Sequence, residues 1–269
     1  MTNNETFQAA LNRLNPNQKK AVETTEGPVL VLAGPGTGKT QVLSARIGYI
    51  LQQGLAQPQN ILCLTFTESG VNAMRQRLMS FIGSDALKVN IATFHSFCNA
   101  ILREHPERFD MEDMDLITDL EKDKYLRELL DEVPIGSPLK MELKSPYGQI
   151  NMIKGFFQTM QKENWSPEYV VEKSDEFVRE ELSNEDKYIY KRSGKGYTAG
   201  EPKTTAIKLV TDKFDKIKQA ALLYSSYREK LKDKKRYTYE DMILWVLEEF
   251  NKDVDFLLDY QERYQYILV

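Results

Sequence analysis

The stretch that decides the fold is residues 33–40, Ala33-Gly34-Pro35-Gly36-Thr37-Gly38-Lys39-Thr40. It follows the apolar run 29–32, which predicts a buried strand, and it opens the helical pattern of residues 41–51. A strand, a glycine-rich loop and a helix in this order are typical of a phosphate-binding loop, because glycines let successive backbone N–H groups turn toward phosphate oxygens. The partial positive charge at the N-terminus of the following helix also favours an anion.

Two side chains of this loop have predicted roles in nucleotide chemistry. Lys39 stands where a lysine reaches the β- and γ-phosphates, and Thr40 stands where a hydroxyl ligates Mg²⁺. Ala33 occupies the position at which the strict pattern has its first glycine. A glycine-rich turn that binds nothing is the alternative, but the intact Gly38-Lys39-Thr40 sequence argues against it. The sequence predicts a nucleotide-binding protein.

Composition excludes several classes of protein. The chain has 269 residues, 41% hydrophobic and 28% charged, which suits a globular protein of one large or two modest domains. Its two cysteines, Cys63 and Cys98, exclude a disulfide framework and fit a reducing cytoplasm. His95 and Cys98 can share a helix face, but two candidate ligands do not make a metal site. No apolar run approaches the ~20 residues of a membrane span, so we predict no membrane partner.

Charge is distributed unevenly along the chain. Residues 107–132 contain eleven acidic and four basic residues, whereas residues 187–236 contain fifteen basic and five acidic ones. This asymmetry suggests a basic surface that can meet a phosphate backbone. A solvated helix face is the alternative, and for a charge run alone it is the favoured one.

Apolar runs and helical patterns alternate after the phosphate loop. Residues 60–65 and 88–93 are predicted strands, each followed by a predicted helix, over residues 68–82 and from residue 94 to about residue 105. This alternation predicts a parallel sheet with helices on both faces, whose ligands gather at the carboxyl ends of the strands. Thr65-Phe66-Thr67 and Thr93-Phe94-His95 follow two of these strands and are therefore expected at that edge.

The character of the sequence changes near residue 107. From there to about residue 212 it is helical, with turn signals at residues 134–136, 145–148 and 166–167 and a flexible basic loop at residues 193–202. We interpret this region as a helical insertion. A long helix is predicted at 205–233, shorter ones at 239–250 and 253–261, and a buried strand at 264–269.

A short helix precedes the phosphate loop. Asn15 can cap it, with Pro16 at its first position. The amide of Gln18 offers a donor for the N7 acceptor of adenine and an acceptor for its N6 donor. Taken by itself this match is weak, because most glutamines on short helices are only solvated.

Taken together, these stretches resemble motifs of the UvrD/PcrA/Rep-like superfamily 1 DNA helicases. In order, they are residues 14–18 (the Q motif), 33–40 (motif I), 64–67 with the arginine-bearing helix after it (motif Ia), 92–97 (motif Ib) and 237–242 (the aromatic-acidic stretch that opens the helix returning to the core). That family often has alanine at the position of Ala33. The resemblance covers essentially the whole chain, as the N-terminal part of such an enzyme.

The resemblance implies an α/β fold. It is a P-loop NTPase (RecA-like) parallel sheet flanked by helices, with a mostly α-helical inserted subdomain. Residues 1–108 would form the first part of the ATP-binding core, residues 109–212 the helical insertion (1B-like), and residues 213–269 the return helices and strand of the core.

The resemblance also implies ATP and Mg²⁺ as cofactors. Lys39 and Thr40 would be catalytic, and Thr40 would ligate the Mg²⁺. Gln41 stands where many relatives have an arginine that packs against adenine. The implied nucleotide contacts are Gln18, Ala33, Gly34, Pro35, Gly36, Thr37, Gly38, Lys39, Thr40 and Gln41.

The implied activity is that of an ATP-dependent DNA helicase, moving 3′ to 5′ and serving DNA repair or recombination. Its partners would be single-stranded DNA and junctions of single- and double-stranded DNA. The implied DNA contacts are Thr65, Phe66, Thr93, Phe94 and His95, through hydroxyl–phosphate contacts and base stacking. Core packing is the alternative for the two phenylalanines. For Lys191, Arg192 and Lys195 of the insertion, contact with duplex DNA is suggested by charge alone.

The same resemblance predicts what this chain lacks. In the family, a strand like residues 266–269 is followed by an Asp-Glu pair that holds Mg²⁺ and activates water, and a second motor domain supplies an arginine finger. We therefore expect weak binding of ATP with Mg²⁺ and very little turnover by this chain alone, since such a finger contributes ~10³–10⁵ in rate.

Two alternatives stay open at this point. One is a ring-forming AAA+ ATPase, whose phosphate loop can have the same sequence, although the acidic pair expected after the next long strand is missing from residues 64–67. The other is a non-catalytic module that binds nucleotide or DNA.

Overall fold

The computed structural model describes residues 3–109, 111, 113–140 and 147–269. Its helices are α1 (Asn3–Asn12), α2 (Pro16–Glu23), α3 (Lys39–Gln52), α4 (Glu68–Ile82), α5 (Phe94–Glu104), α6 (Pro106–Phe109), α7 (Asp119–Glu132), α8 (Ile150–Lys162), α9 (Pro167–Leu182), α10 (Glu185–Tyr188), α11 (Thr204–Asp233), α12 (Tyr239–Lys252) and α13 (Val254–Arg263). Its strands are β1 (Ile61–Thr65), β2 (Asn90–Thr93), β3 (Asp115–Leu116), β4 (Arg236–Tyr237) and β5 (Tyr266–Leu268). The chain divides into two compact units, Met1–Asp110 with Trp245–Val269, and Met111–Leu244.

The first unit contains a parallel sheet in the order β2-β1-β5. Leu64 pairs with Ala92 on one side of β1, and Leu62 pairs with Ile267 on the other. All of β1 except Thr65 is buried, as expected for a central strand covered on both faces. The predicted α/β class with a parallel sheet flanked by helices is confirmed.

Helices α3 and α4 provide most of the apolar cover of this sheet. Ile47 and Ile50 of α3 are buried with Met74 and Leu78 of α4 and with the strands. Helix α4 has the predicted bounds because Thr67 caps it, its Oγ1 accepting a hydrogen bond from the Gly70 N–H at 3.1 Å. The apolar spacing and the N-cap residue are both present in the segment itself, which explains why the predicted bounds are correct.

The predicted strand at residues 29–32 is wrong. These residues form no strand, and Leu30 and Leu32 are 85% and 90% exposed. A strand needs a hydrogen-bonded neighbour, and β5, the nearest candidate in the sheet order, pairs only with β1 among the described residues. The apolar run therefore has no strand partner and lines the cavity described below.

The predicted buried strand at residues 264–269 is only partly correct. The strand is confined to Tyr266–Leu268, and Leu268 is buried, whereas Ile267 is 57% exposed. The reason is that β5 lies at the edge of the described sheet and borders the same cavity. Its sequence resembles that of a central strand, but in the described residues it has one strand neighbour.

Helices α5, α6 and α13 are joined by charged and aromatic contacts. The Arg263 guanidinium donates two hydrogen bonds of 3.0 Å to the Glu104 carboxylate, which lowers the pKa of that carboxyl. The Arg108 guanidinium lies 2.7 Å from Asp253 and 4.3 Å from the centre of the Phe256 ring. These contacts fix the C-terminal helix of the unit against the helix that follows β2.

The second unit is built around a separate apolar core. It is formed by residues of α7, α8, α9 and α11, among them Leu126, Leu130, Ile153, Met160 and Leu231. Helix α11 is one continuous helix of 30 residues, and its inner face contributes to this core. The predicted insertion is therefore mostly helical, as expected.

The acidic and basic segments of the sequence pair with each other in this unit. Arg236 of β4 donates to Glu121 at 2.8 Å and lies 3.2 Å from Asp115 of the parallel neighbour β3. Lys230 of α11 lies 2.7 Å from Glu128 of α7. Part of the basic segment is thus matched by the acidic one, so the charge runs contribute to the internal structure of the unit.

Helix α12 begins at a buried polar network. The Asp241 carboxylate, 1% exposed, accepts hydrogen bonds from the Thr238 N–H at 2.7 Å and from the Thr238 hydroxyl at 2.9 Å. It also accepts from Gln161 at 3.1 Å and from Arg228 at 2.6 Å. The aromatic-acidic stretch at residues 237–242 therefore contains the cap of α12 and links it to α8 and α11.

The predicted flexible loop at residues 193–202 contains hydrogen bonds that the sequence did not suggest. The Gly194 N–H donates to the Tyr197 carbonyl at 3.0 Å, and the Tyr190 N–H donates to the Glu201 carbonyl at 2.9 Å. The rings of Tyr190 and Tyr197 stack with centroids 3.9 Å apart. Lys191, just before this loop, lies 2.9 Å from Asp186.

The division into units differs from the predicted segments at one place. Residues 213–244 fall in the second unit, whereas the sequence grouped them with the return to the core. The physical reason is that α11 is continuous and packs with α7, α8 and α9 along its length. Of the turn predicted at residues 145–148, Ser145 and Pro146 lie outside the described residues.

Candidate nucleotide-binding site

The phosphate loop connects residues 29–32 to the N-terminus of α3. Gly36 and Gly38 have φ of 74° and 84°, in the left-handed region that favours glycine. Gly38 is the N-cap of α3. A Cβ at Gly38 would come within 3.6 Å of Gln18 and 3.7 Å of Gln41, so these two side chains flank the loop at this glycine.

Five consecutive backbone N–H groups of the loop are open. The N–H groups of residues 36–40 donate no hydrogen bond to any part of the chain that the structure describes. Those at the start of α3 are the donors that a helix leaves unpaired in its first turn. Successive unpaired N–H groups in this conformation form a concave anion site, and the helix N-terminus adds favourable charge. The loop therefore has the donors that phosphate oxygens require.

Lys39 is exposed and turned back over the loop. Its ammonium donates to the Gly34 carbonyl at 3.1 Å and to the Ala33 carbonyl at 3.3 Å. The Thr37 hydroxyl also donates to the Gly34 carbonyl, at 2.8 Å. The loop is thus held by its own side chains, with the lysine charge beside the open N–H groups.

Thr40 follows Lys39 in the first turn of α3 and is exposed. A hydroxyl oxygen at this position is a suitable ligand for Mg²⁺, a hard cation that takes oxygen ligands. The carbonyl of Thr40 accepts a hydrogen bond from the buried Ser44 hydroxyl at 2.7 Å, which fixes the turn below it. The residues present therefore fit a nucleotide with Mg²⁺.

Gln18 reaches the loop from α2. Its amide nitrogen donates to the Thr37 carbonyl at 3.0 Å, and its amide oxygen accepts from the Asn15 N–H at 3.0 Å. The Asn15 side chain in turn accepts from the Gln18 N–H at 2.9 Å, which completes a capping box. Both polar ends of the Gln18 side chain are therefore engaged by the chain itself.

Arg46 joins α3 to α2, a contact that was not predicted from the sequence. From α3 its guanidinium donates to the carbonyls of Ala21 and Thr24, at the C-terminal end of α2. A cation at the C-terminus of a helix is favoured by the helix dipole. Burial lowers the pKa of the Arg46 guanidinium below its ordinary value. No sequence pattern indicates this contact, because a single arginine in a helical segment does not specify its partner.

A cavity of about 1290 Å³ borders the phosphate loop within the first unit. It is lined by the loop, by residues 28–32 and by residues 265–269, and its cations are Lys39 and Arg46. Among the described residues that line it, Glu26 is the one carboxylate. The cavity is large enough for a nucleotide, but it contains no pair of carboxylates from the described residues.

The strand ends form the second part of the site. Phe66, after β1, is 86% exposed, and its ring centroid lies 5.5 Å from that of the half-buried Phe94, after β2. Core packing is therefore excluded for Phe66 in the described structure. Thr65 is half-buried, and its hydroxyl donates to the Thr67 carbonyl at 3.1 Å. Parallel strands bring these residues to one edge, as predicted.

Thr93 and His95 are placed differently from each other. Thr93 is 7% exposed, and its hydroxyl oxygen accepts from the Ser96 N–H at 3.1 Å as the cap of α5. That hydroxyl is engaged in the cap of α5, and the DNA contact of Thr93 stays a prediction. His95 is half-buried in the first turn of α5 and stays a candidate.

None of the described helices has an apolar stretch long enough to span a lipid bilayer.

The sequence is similar to a family of helicase domains and to curated DNA helicases. The sequence matches the UvrD/REP helicase N-terminal domain over residues 14–269. It is 28% identical over 262 residues to the ATP-dependent DNA helicase PcrA of Staphylococcus aureus strain Mu50, and 27% identical to that of Staphylococcus epidermidis strain ATCC 12228. Each match covers 97% of this chain and 30% of the relative, so the chain spans less than a third of the length of these proteins.

Proposed function

Because this chain belongs to the UvrD/REP helicase N-terminal domain family, we propose that it binds ATP with Mg²⁺ and single-stranded DNA as part of an ATP-dependent DNA helicase. Neither alternative considered from the sequence, an AAA+ ATPase or a non-catalytic module, is favoured by the family assignment. In the whole enzyme, ATP-driven closure of this domain on a second motor domain would move the protein along DNA.

The observation that supports nucleotide binding is the row of open N–H groups at residues 36–40 beside the Lys39 ammonium. On binding, Lys39 would exchange its contacts with the Gly34 and Ala33 carbonyls for phosphate oxygens. The Thr40 hydroxyl would hold Mg²⁺, which neutralises charge on the phosphates when bound. The remaining predicted contacts, from Gly34 to Gly38 and from Gln41, follow from their place around the same loop.

Turnover by this chain alone is expected to be very low. Phosphoryl transfer depends on positioning and charge stabilisation, and an attacking water needs a group that orients it. Glu26 is the one carboxylate among the described lining residues, and it lies before the loop rather than at the end of a strand beside it. This chain should therefore bind ATP but hydrolyse very little of it.

The DNA track would run along the carboxyl ends of β1 and β2. Phe66 is the principal candidate, since an exposed ring there offers a stacking face to a base, with Phe94 beside it. Thr65 and His95 would add polar contacts to the backbone. Thr93, whose hydroxyl caps α5, would have to exchange that contact for a phosphate oxygen in order to take part.

The finer assignments rest on the family alone. They are 3′ to 5′ movement, action at junctions of single- and double-stranded DNA, a role in DNA repair, and a location in the bacterial cytoplasm. Contact of Lys191, Arg192 and Lys195 with duplex DNA also stays a proposal.

The proposal is tested by titrating the chain with a fluorescent ATP analogue and Mg²⁺, and by measuring ATP hydrolysis with and without single-stranded DNA. We expect binding with very little DNA-stimulated turnover. Lys39→Ala should weaken binding about tenfold to a hundredfold, because a charge-assisted hydrogen bond contributes about 1.5–3 kcal/mol. Lys20→Ala, which removes an exposed cation from α2 of the same unit, is the matched control and should bind normally. Equal binding by Lys39→Ala and the unchanged chain would refute the assignment of the loop.

A further inference from the structure

Helix α2 carries Gln18 to the phosphate loop. The Gln18 amide nitrogen donates to the Thr37 carbonyl at 3.0 Å, and its amide oxygen accepts from the Asn15 N–H at 3.0 Å. An amide nitrogen has two N–H groups and an amide oxygen has two lone pairs, so these two bonds leave one of each. Gln18 can therefore contact the loop and the base of a nucleotide together, provided that α2 is held in place beside the loop.

Apolar packing holds α2 against α3. Val22 of α2 is fully buried with Val42 and Ala45 of α3, and Leu14, just before α2, belongs to the same cluster. The hydrophobic effect that drives this packing is non-directional, so it does not by itself fix the rotation or the register of a helix. Helix α2 has only eight residues, and its position therefore depends on a directional contact as well.

Arg46 of α3 supplies a directional contact of this kind. One terminal nitrogen of its guanidinium donates to the Ala21 carbonyl at 2.5 Å and also to the Thr24 carbonyl. The Ala21 carbonyl is one of those that a helix leaves unpaired in its last turn, and Thr24 is the C-cap residue of α2. The dipole of α2 also favours a cation at this end. Arg46 therefore fixes the C-terminal end of α2 to α3.

The place of Arg46 on α3 links this contact to the phosphate loop. Helix α3 begins with Lys39 and Thr40 of the loop, and Arg46 follows about two turns farther along the same helix. The Arg46 side chain is half-buried and forms no ion pair with any described carboxylate, so the two carbonyls of α2 are its described hydrogen-bond partners. One helix thus holds the loop at its N-terminus and α2 through Arg46.

We infer that Arg46 is a positioning residue for nucleotide binding, which fixes α2 on the helix that carries the phosphate loop and so sets the place of the Gln18 amide beside the base. The inference rests on the proposed nucleotide binding and on Gln18 as one of its contacts. Arg46 also lines the cavity beside the loop, so a direct contact with the nucleotide is the competing explanation. The two explanations differ in whether the effect of Arg46 passes through Gln18.

The test is a double-mutant cycle between Arg46 and Gln18. Arg46→Met keeps an unbranched apolar stem and removes the donors, Gln18→Ala removes the amide, and the two changes are made singly and together. Arg103→Met, which changes an exposed arginine of α5 in the same unit, is the matched control. Affinity for ATP with Mg²⁺ is measured by calorimetry, and the ¹⁵N–¹H signals of the Gln18 side-chain amide are recorded without nucleotide. If Arg46→Met does not fold, Arg46→Lys takes its place in the cycle.

We expect Arg46→Met to weaken ATP binding about twofold to tenfold, the range that one neutral hydrogen bond contributes. Gln18→Ala should weaken binding by a similar factor, and the double variant should bind no more weakly than Gln18→Ala, because Arg46 acts through that side chain. Arg46→Lys keeps a cation on a stem one bond shorter and should recover part of the affinity. The Gln18 side-chain signals should move in Arg46→Met and keep their positions in Arg103→Met.

Three results would overturn the inference. A further loss when Arg46→Met is added to Gln18→Ala would show that Arg46 acts on the nucleotide directly. Unchanged affinity in Arg46→Met with a lowered melting temperature would leave it a structural role only, and an equal loss in Arg103→Met would trace the effect to net charge. If the unchanged chain bound no ATP, the proposed function itself would fail. The Gln18 side-chain signals would then decide the inference, since a shift in Arg46→Met would support it and unchanged signals would contradict it.

Discussion

The buried Asp241 network offers the sharpest test of how α12 is held. Asp241→Ala would remove an acceptor of four hydrogen bonds, from the Thr238 N–H and hydroxyl, from Gln161 and from Arg228. Two of the donors lose little, because Gln161 keeps a 3.0 Å bond to the Thr238 hydroxyl and the Arg228 side chain is 33% exposed to water. The Thr238 N–H is buried and would be left without its partner.

The magnitude follows from these separate losses. An orphaned buried donor costs about 1–3 kcal/mol. The capping box of α12 also loses the side chain of its third helical residue, although the Thr238 side chain still accepts from the N–H of residue 241. Removing one partner of a fully buried ion pair costs about 3–5 kcal/mol, and the exposure of Arg228 places this pair below that range. We therefore expect Asp241→Ala to lower the free energy of unfolding by about 2–4 kcal/mol.

The assay is urea denaturation followed by circular dichroism and by tryptophan fluorescence, with both probes required to report the same transition. The matched control is Glu240→Ala, which removes the neighbouring carboxylate and the hydrogen bond that it accepts from the Gln158 amide at 2.7 Å. That change should cost at most about 1 kcal/mol. An Asp241→Ala protein as stable as the Glu240→Ala protein would refute the reasoning that this network fixes the start of α12.

Three further predictions follow from the described contacts. A backbone hydrogen bond from Thr118, aided by the Arg236 guanidinium, lowers the pKa of Glu121 to about 2. The ionised Glu121 carboxylate therefore stabilises the fold above the ordinary carboxyl pKa, and this stabilisation is lost as pH falls toward 2. Glu121→Gln should flatten the acid side of the plot of melting temperature against pH. An unchanged acid side would contradict this. Phe66→Ala should change stability by less than about 0.5 kcal/mol, because the ring is exposed, yet weaken single-stranded DNA binding about fivefold to a hundredfold; equal DNA affinity would remove this ring from the proposed track. Burial raises the pKa of both cysteine thiols to about 11, so neither should react with a thiol reagent at pH 8 until the protein unfolds, and rapid native labelling would show that they are accessible.

The sequence predicts best where a local signal and the tertiary contacts agree. Helix α4 has the predicted bounds because its apolar spacing and its Thr67 cap act within the segment itself. The turn conformation at Gly36 and Gly38 was also predictable, since the glycine pattern specifies it. The presence of the phosphate loop therefore needed no knowledge of distant residues.

Predictions failed where the outcome depends on residues far away in the chain. The run 29–32 has the composition of a strand, but a strand forms only with a partner, and no pattern within the run shows whether one is present. The bond from Gln18 to Thr37 spans nineteen residues, and no local rule predicts it.

The connectivity of the sheet has a consequence for the order of folding. Strand β1 pairs with β5, and the Asn60 side chain donates to the Arg263 carbonyl across a separation of 203 residues. The whole second unit lies within that separation. On the ribosome, the first unit therefore cannot complete its sheet until the second unit has been synthesised. Contacts of such high sequence separation slow folding, while a second unit that folds first shortens the loop that β5 must close.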